Sequence, residues 1–346
     1  MFKFLLRQLN KLILVFFLSI GLFVYWFSQH LQQPLHISEQ PFVYTLSPGS
    51  SFSTLVNDLH REGVLRYPRL IKVYGRLSGL ANKIKAGEYA LEQGTTLKQL
   101  FEQVKQGRVL SYEVTLVEGW RFSQLLSYLK NQKKLSHELE GSPWPSIIQK
   151  EFGYTSLEGL IFPDTYRYVA GSSDLQILKQ AFARMQNILQ QEWQKREQGL
   201  PYDTPYQALI MASLIERETG VASEREQIAG VFVRRLRKRM RLQTDPTVIY
   251  GLGESFDGNL RSSHLKDSAN LYNTYRHGGL PPTPIAMAGR EAIYAALHPA
   301  KGKSLYFVAK GDGSHYFSAS LAEHNKAVQR YQVFKRRKDY RSAPKK

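Results

Sequence analysis

A chain of 346 residues, 42% of them hydrophobic, is long enough for two or three packed domains and too apolar to be disordered. The absence of cysteine excludes disulfides and thiolate metal sites, and it fits an oxidising compartment outside the cytoplasm. A formal net charge of +18 requires an anionic partner, whether nucleic acid, lipid head groups or an acidic polymer.

The first thirty residues choose among these. Leu12 to Phe27 is an apolar run broken only by Ser19 and Gly21. As a helix it covers about 24 Å, and Ser28 to Leu31 extend it toward a bilayer core of about 30 Å. Lys3, Arg7 and Lys11 precede it and no charged residue follows before Glu39. The positive-inside rule then places residues 1–11 in the cytoplasm, a single transmembrane helix at 12–31, and the rest outside the cytoplasmic membrane. Tyr25-Trp26-Phe27 offers no small-residue cleavage site, so the segment is read as a retained anchor rather than a signal peptide. Nucleic acid is excluded as a partner on this reading; the membrane surface and an acidic wall polymer remain.

Residues 32–40, with Pro34, form a linker, and an internal repeat follows. Gly49 precedes Phe52, Leu55 and Leu59; Gly94 precedes Leu97, Leu100 and Val104; Gly119 precedes Phe122, Leu125 and Leu129. Each glycine follows a β-prone run, so the unit is strand, glycine turn and amphipathic helix. Nothing in it bears chemistry, which makes residues 41–110 a small α/β module for binding or positioning. Residues 111–200 connect it to a domain at 201–346. Within that connection Leu157 to Tyr166 reads as a strand and turn, Asp164 as a turn residue, and Asp174 as the cap of a helix of about twenty residues with Leu178, Phe182, Met185 and Leu189 inside.

Gln207 to Glu226 carries the strongest chemical signal. At a period of 3.6, Met211, Leu214 and Ile215 share a face with Glu218, and Gly220 ends the helix just beyond it. Ser223 and Glu226 read as a capping box opening the next helix. A Glu near a helix end is ordinarily a solvated surface residue, the role expected of Glu216. Glu218 instead combines an apolar face with the negative end of the helix dipole, both of which disfavour the carboxylate, and it is expected to titrate high as a general acid does.

Arg234 to Arg241 reads as the polar side of a helix whose apolar side is Ile228, Val231, Phe232 and Leu236. Asp245, with Pro246 after it, reads as an N-cap. The loops that follow are dense in Asn, Gln, Thr and Tyr, a composition that suits hydroxyl-rich sugars and also occurs on ordinary enzyme surfaces. Leu305 to Ser318 is a hairpin, His324 and Asn325 lie on a last helix, and Lys335 to Lys338 form a basic tail. His264, His277, His315 and His324 have no metal-ligand spacing, and neither a metal nor a cofactor is expected.

With these residues the sequence resembles the endolytic murein transglycosylase family of single-pass membrane enzymes. The resemblance runs from about residue 41 to 335 and rests on Lys85-Ala86-Gly87-Glu88-Tyr89, Val117-Glu118-Gly119, Phe162-Pro163-Asp164-Thr165, Met211 to Thr219, Arg241 to Gly251, Tyr272 to Tyr275 and Gly279-Leu280-Pro281-Pro282. Ala288-Gly289 stands where the family tends to have Pro-Gly. The resemblance implies an α+β fold with an N-terminal transmembrane helix, a LysM-like domain at 41–110 and a mixed α+β catalytic domain. It also places the catalytic acid/base on Glu218. Gln243, Asp245, Thr247, Tyr250, Tyr272, Asn273 and Tyr275 are expected to line the substrate cleft. The implied reaction cuts the bond between N-acetylmuramic acid and N-acetylglucosamine in nascent peptidoglycan strands, leaves a 1,6-anhydro end, and terminates strand growth beside peptidoglycan synthases. Two alternatives stay open: a hydrolase of the same polymer using Glu218 and Asp245, and a non-catalytic scaffold of wall synthesis.

Overall fold

The computed structural model describes residues 2–38, 42–47, 49–140 and 144–334, so the basic run at Lys335 to Lys338 lies outside the described residues. The fold is mixed α+β and forms two compact units, residues 1–112 with 167–172 and residues 113–166 with 173–346.

In the first unit, α1 (Phe2–Leu31) is a continuous helix that begins earlier than the apolar run, because Arg7 and Lys11 are good helix formers. Its stretch Leu6–Leu31 is long and apolar enough to cross a membrane. β1 (Phe42–Leu46), α2 (Phe52–Arg61), α3 (Pro68–Leu77), β2 (Gly87–Leu91) and α4 (Leu97–Gln106) follow. β1 and β2 pair antiparallel with Tyr44 opposite Tyr89, and alternate residues Tyr44, Leu46, Tyr89 and Leu91 point into one core with Leu55, Leu59, Leu100 and Val104. Those helical residues are the repeat positions read from the sequence. Ser51 accepts the N–H of Thr54 at the start of α2, and Thr96 with Gln99 forms a capping box on α4.

β3 (Ser111–Thr115), α5 (Phe122–Lys130), α6 (Trp144–Phe152) and β4 (Thr165–Val169) come next, with β3 and β4 paired. The third strand, glycine and helix therefore do not extend the β1–β2 sheet. Leu157 to Tyr166 runs in the opposite sense to the sequence reading: the turn comes first and the strand starts at Thr165. Asp164 is a turn residue whose Oδ1 accepts the N–H of Thr165 at 2.7 Å, while Oδ2 pairs with Arg184.

The second unit continues with α7 (Asp174–Gln194), α8 (Pro205–Glu218), α9 (Arg225–Arg237), α10 (Asp245–Leu252), α11 (Ser262–Lys266), α12 (Arg290–Leu297), β5 (Tyr306–Ala309), β6 (His315–Ser318) and α13 (Leu321–Val328). The hairpin and last helix match the sequence reading. Ser173, not Asp174, caps α7; the Asp174 carboxylate instead accepts the N–H groups of Glu138, Leu139 and Leu175. α8 is the central element, started by Thr204 and Pro205 and packed by α7, α9, α10 and α12. Every residue from Ala208 to Glu216 is buried, so α8 has no solvent face at all along that stretch. Glu216 is thus not the half-exposed carboxylate expected, and its Oε2 accepts the N–H of Gly289 at 3.2 Å.

Candidate active site

Glu218 is the last residue of α8. Met211, Leu214 and Ile215 below it are fully buried, as the periodicity requires. The helix stops through Thr219 in extended conformation, whose hydroxyl accepts the N–H of Val221 at 3.0 Å; Gly220 does not supply a left-handed cap. The capping box at Ser223 and Glu226 is also absent. A single 3-10 turn, Ala222–Glu224, leads into α9, and Glu224 is held by His315, which gives its backbone N–H and Nδ1 to the two carboxylate oxygens at 2.8 Å each.

The segment before α10 meets the end of α8. Thr244 is the N-cap position of α10, so Asp245, expected as the cap, is instead its first helical residue. Thr244 makes no cap bond because its hydroxyl donates to Oε1 of Glu218. The Asp245 carboxylate turns to the hydroxyl of Tyr275, 2.7 Å away. Glu218 keeps part of its surface, yet protein surrounds its carboxyl closely enough that burial dominates its titration and pushes the pKa to about 7. The Thr244 hydroxyl, Arg217 and Arg235 pull the other way, and the charge of Asp245 adds to the rise.

Two loops are clipped together behind Thr244. Its N–H donates to Thr274 Oγ1 at 3.0 Å, the N–H of Gln243 to the Thr274 carbonyl at 3.2 Å, and the Thr247 hydroxyl to the Thr244 carbonyl at 2.8 Å. Gln243 takes a left-handed backbone at φ 51°. Arg235 fixes the loop from beneath: Nη1 donates to the carbonyls of Leu242 and Arg241 at 2.9 and 3.1 Å, and Nε to Leu305 at 2.6 Å. The side chain is buried, so Arg235 is not part of a solvated polar face.

The seven residues expected beside Glu218 divide by position. Gln243, Asp245, Tyr250, Tyr272 and Tyr275 retain accessible surface. Thr247 and Asn273 are fully buried. Asn273 gives its amide to the carbonyls of Asp267, His264 and Leu265 and accepts the N–H of Tyr275, which makes it the brace of the Tyr272 to Tyr275 loop.

A second carboxyl belongs to this neighbourhood and carried no chemical signal in the sequence, where it fell at the start of the stretch read as a strand and turn. Glu158 is 6% exposed; it accepts the N–H of Phe122 at 3.1 Å and the hydroxyl of Tyr250 at 3.2 Å. Burial lifts its pKa to about 7 against those hydrogen bonds and the charge of Arg121. Tyr250 lies edge-on to Tyr272 with ring centroids 4.7 Å apart, and the Arg121 guanidinium covers its ring. Thr244, Thr274 and Arg235 were likewise missed. A hydroxyl residue directly before the Asp245-Pro246 helix start was the available signal for Thr244.

A cavity of about 910 Å³, lined by α7, α9 and α12 residues together with Glu118 and Phe162 to Asp164, includes none of these groups; the ion pairs Arg184–Asp164, Arg225–Glu291 and Arg290–Glu192 lie among its lining residues. Among the described residues no group of three or more His, Asp or Glu is placed to hold a metal ion.

Of the two high-titrating carboxyls, Glu158 is taken up by the Phe122 N–H and the Tyr250 hydroxyl, while Glu218 keeps accessible surface beside the Thr244 hydroxyl, an arrangement suited to single-carboxyl acid–base chemistry. The chain belongs to the YceG-like family, whose model matches residues 44–330. It is 33% identical to a Bacillus subtilis protein named endolytic murein transglycosylase, over 90% of each chain. It is 23% identical to a protein of the same name from Streptococcus pneumoniae serotype 2, covering 89% of this chain and 62% of that longer one. A crystal structure of a YceG-like protein from Listeria monocytogenes superposes with a TM-score of 0.51 at 29% identity, covering 84% of this chain and 99% of that one.

Proposed function

We propose that this chain is an endolytic murein transglycosylase and that Glu218 is its acid/base. The observation that carries the reading is the Glu218 carboxyl itself, held at the end of α8 with a pKa of about 7 and a hydroxyl donor at one oxygen. Protonated, it gives its proton to the glycosidic oxygen between N-acetylmuramic acid and N-acetylglucosamine. As a carboxylate it then takes the proton of the muramoyl C6 hydroxyl, which closes on C1 as a 1,6-anhydro end. One carboxyl serves both steps, so the paired-carboxylate spacing of hydrolytic glycosidases is not required.

Gln243, Asp245, Tyr250, Tyr272 and Tyr275 are proposed to contact the glycan, with Thr247 and Asn273 shaping the loops that present them. The unit built on β1 and β2 is proposed as a LysM-like glycan-positioning module. α1 is proposed as a single-pass anchor in the cytoplasmic membrane with the bulk of the chain outside, where it would end nascent strands beside peptidoglycan synthases. The names of the relatives and the apolar length of α1 support this reading.

The test is mass spectrometry of purified glycan strands after incubation with the full chain in detergent, alongside Glu218→Gln. Internal cuts ending in 1,6-anhydromuramic acid, lost in the variant, are the expected result. Reducing ends would point instead to water activated by Asp245, and uncut strands in both samples would overturn the enzymatic reading.

A further inference from the structure

We propose that α3 lies in the head-group layer of the membrane that α1 spans, as a second, in-plane contact with lipid. The inference rests on the reading of α1 as a membrane span and goes beyond it.

The last two turns of α1 carry Trp26, Phe27 and His30, and their rings pack on the start and middle of α3. Trp26 and His30 meet Tyr67 edge-on at 5.5 and 5.2 Å between centroids, and Phe27 meets Tyr74 at 5.5 Å. Tyr67 adopts a left-handed backbone, φ 56°, uncommon for a side chain of its bulk. The 26 residues Leu6–Leu31 span about 39 Å as a helix, against about 30 Å of hydrocarbon, so the final turns of a spanning α1 emerge into the interface. Trp26 sits only about 7.5 Å short of the end of α1. Whatever touches its ring is therefore at head-group depth, the level that tryptophan and tyrosine favour.

The surface that α3 presents there suits lipid. Ile71 and Gly75 bury its inner face; Gly75 is required, since a Cβ would stand 2.1 Å from the Phe52 ring. On the opposite face Val73 and Leu77 are 54% and 85% exposed, an i, i+4 pair of large apolar side chains with nothing over them, and Tyr67 is 49% exposed. Arg69, Lys72 and Arg76 form the flank beside them. Residues 63–87 hold six cations, Arg66, Arg69, Lys72, Arg76, Lys83 and Lys85, and no carboxylate. A short helix with an apolar strip and a basic flank, level with the end of a span, is the pattern of an interfacial helix on anionic lipid.

The chain has no cysteine, so single cysteines report cleanly. Val73→Cys, Leu77→Cys and, within the span, Phe16→Cys are each labelled with an environment-sensitive fluorophore, and the full chain is reconstituted in vesicles of phosphatidylethanolamine and phosphatidylglycerol. Blue-shifted emission at all three positions, with about half of it lost to spin-labelled lipid, is expected. Replacing phosphatidylglycerol by phosphatidylcholine is expected to weaken the effect at 73 and 77 and leave 16 unchanged. Quenching at 16 with water-exposed labels at 73 and 77 would overturn the inference and leave the span intact. A label at 16 in water would remove the span and the inference together. Labels at 73 and 77 shielded from water yet untouched by the lipid quencher would mean that a protein covers α3, which also overturns it.

Discussion

Thr244 Oγ1 donates to Oε1 of Glu218, so the residue ahead of α10 fixes the carboxyl that ends α8. A hydrogen bond to the charged form favours ionisation, and burial outweighs it, leaving the carboxyl at about 7. Thr244→Val keeps the shape and removes the donor. The pKa of Glu218 is then expected to climb by about one unit. A general acid works only while protonated, so activity falls as pH rises through its pKa. The alkaline limb of the kcat/KM profile should move up by the same amount in the variant, and an unmoved limb would break the link between Thr244 and the titration.

The same raised pKa makes Glu218 a liability for stability. Its folded-state pKa lies above the usual 4.5, so the native state binds the proton more tightly than the unfolded chain does, and stability is lost as pH rises from about 4.5 to about 7. A rise of that size corresponds to a few kcal/mol, reduced to about 2 kcal/mol for the part of Glu218 that water reaches. Glu218→Gln carries no charge to desolvate. It should therefore be more stable than the parent by about 2 kcal/mol at pH 8 and nearly equal to it at pH 4, measured by urea unfolding at the two values. A gain at pH 4 as large as that at pH 8 would assign the effect to packing.

Glu158 ties the start of α5 to Tyr250. Tyr250→Phe removes one of its donors at little cost in shape and is expected to destabilise by about 1 kcal/mol, whereas Glu158→Ala takes the carboxylate from both the Phe122 N–H and the Tyr250 hydroxyl and should cost about 2–3 kcal/mol. Because the two share a bond, the double variant should fall short of the sum. Strict additivity in denaturant melts would mean that the 3.2 Å contact contributes nothing.

Gly159, beside it, holds φ at +72°, and a Cβ there would stand 2.3 Å from Cβ of Pro284. Both the left-handed backbone and the clash act against Gly159→Ala, for an expected loss of about 2–3 kcal/mol seen as a lowered urea midpoint. A neutral outcome would show that the loop at Pro284 yields freely.

What could be seen in the sequence was periodic. Glu218 stood out because three apolar residues spaced as a helix requires lay beneath it, and the repeat stood out because its glycines kept constant distances to buried leucines. What could not be seen depended on the fold. Glu216 and Arg235 read as solvated because charges next to apolar stripes usually are, but α8 is enclosed on all sides and Arg235 is needed by carbonyls from two other segments. The caps of α7 and α10 were each placed one residue late, since Ser173-Asp174 and Thr244-Asp245 offer two capping side chains in a row and tertiary partners took the aspartates. Glu158 opened a stretch read as strand and turn, with no period to mark it.

Arg235 offers the sharpest test of the loop's architecture. One guanidinium reaches the carbonyls of Arg241 and Leu242, the Gln243 side chain at 3.3 Å and the carbonyl of Leu305, with Tyr306 against its plane. A lysine can supply the charge but not the planar fork, so Arg235→Lys leaves carbonyls unpaired and lets Leu242 to Thr244 drift from Glu218. The expected loss is about 3 kcal/mol of stability, with an activity loss that persists at temperatures where the variant is fully folded. Full activity in the folded variant would show that the loop keeps Thr244 on Glu218 without the arginine, through its bonds to Thr274 alone.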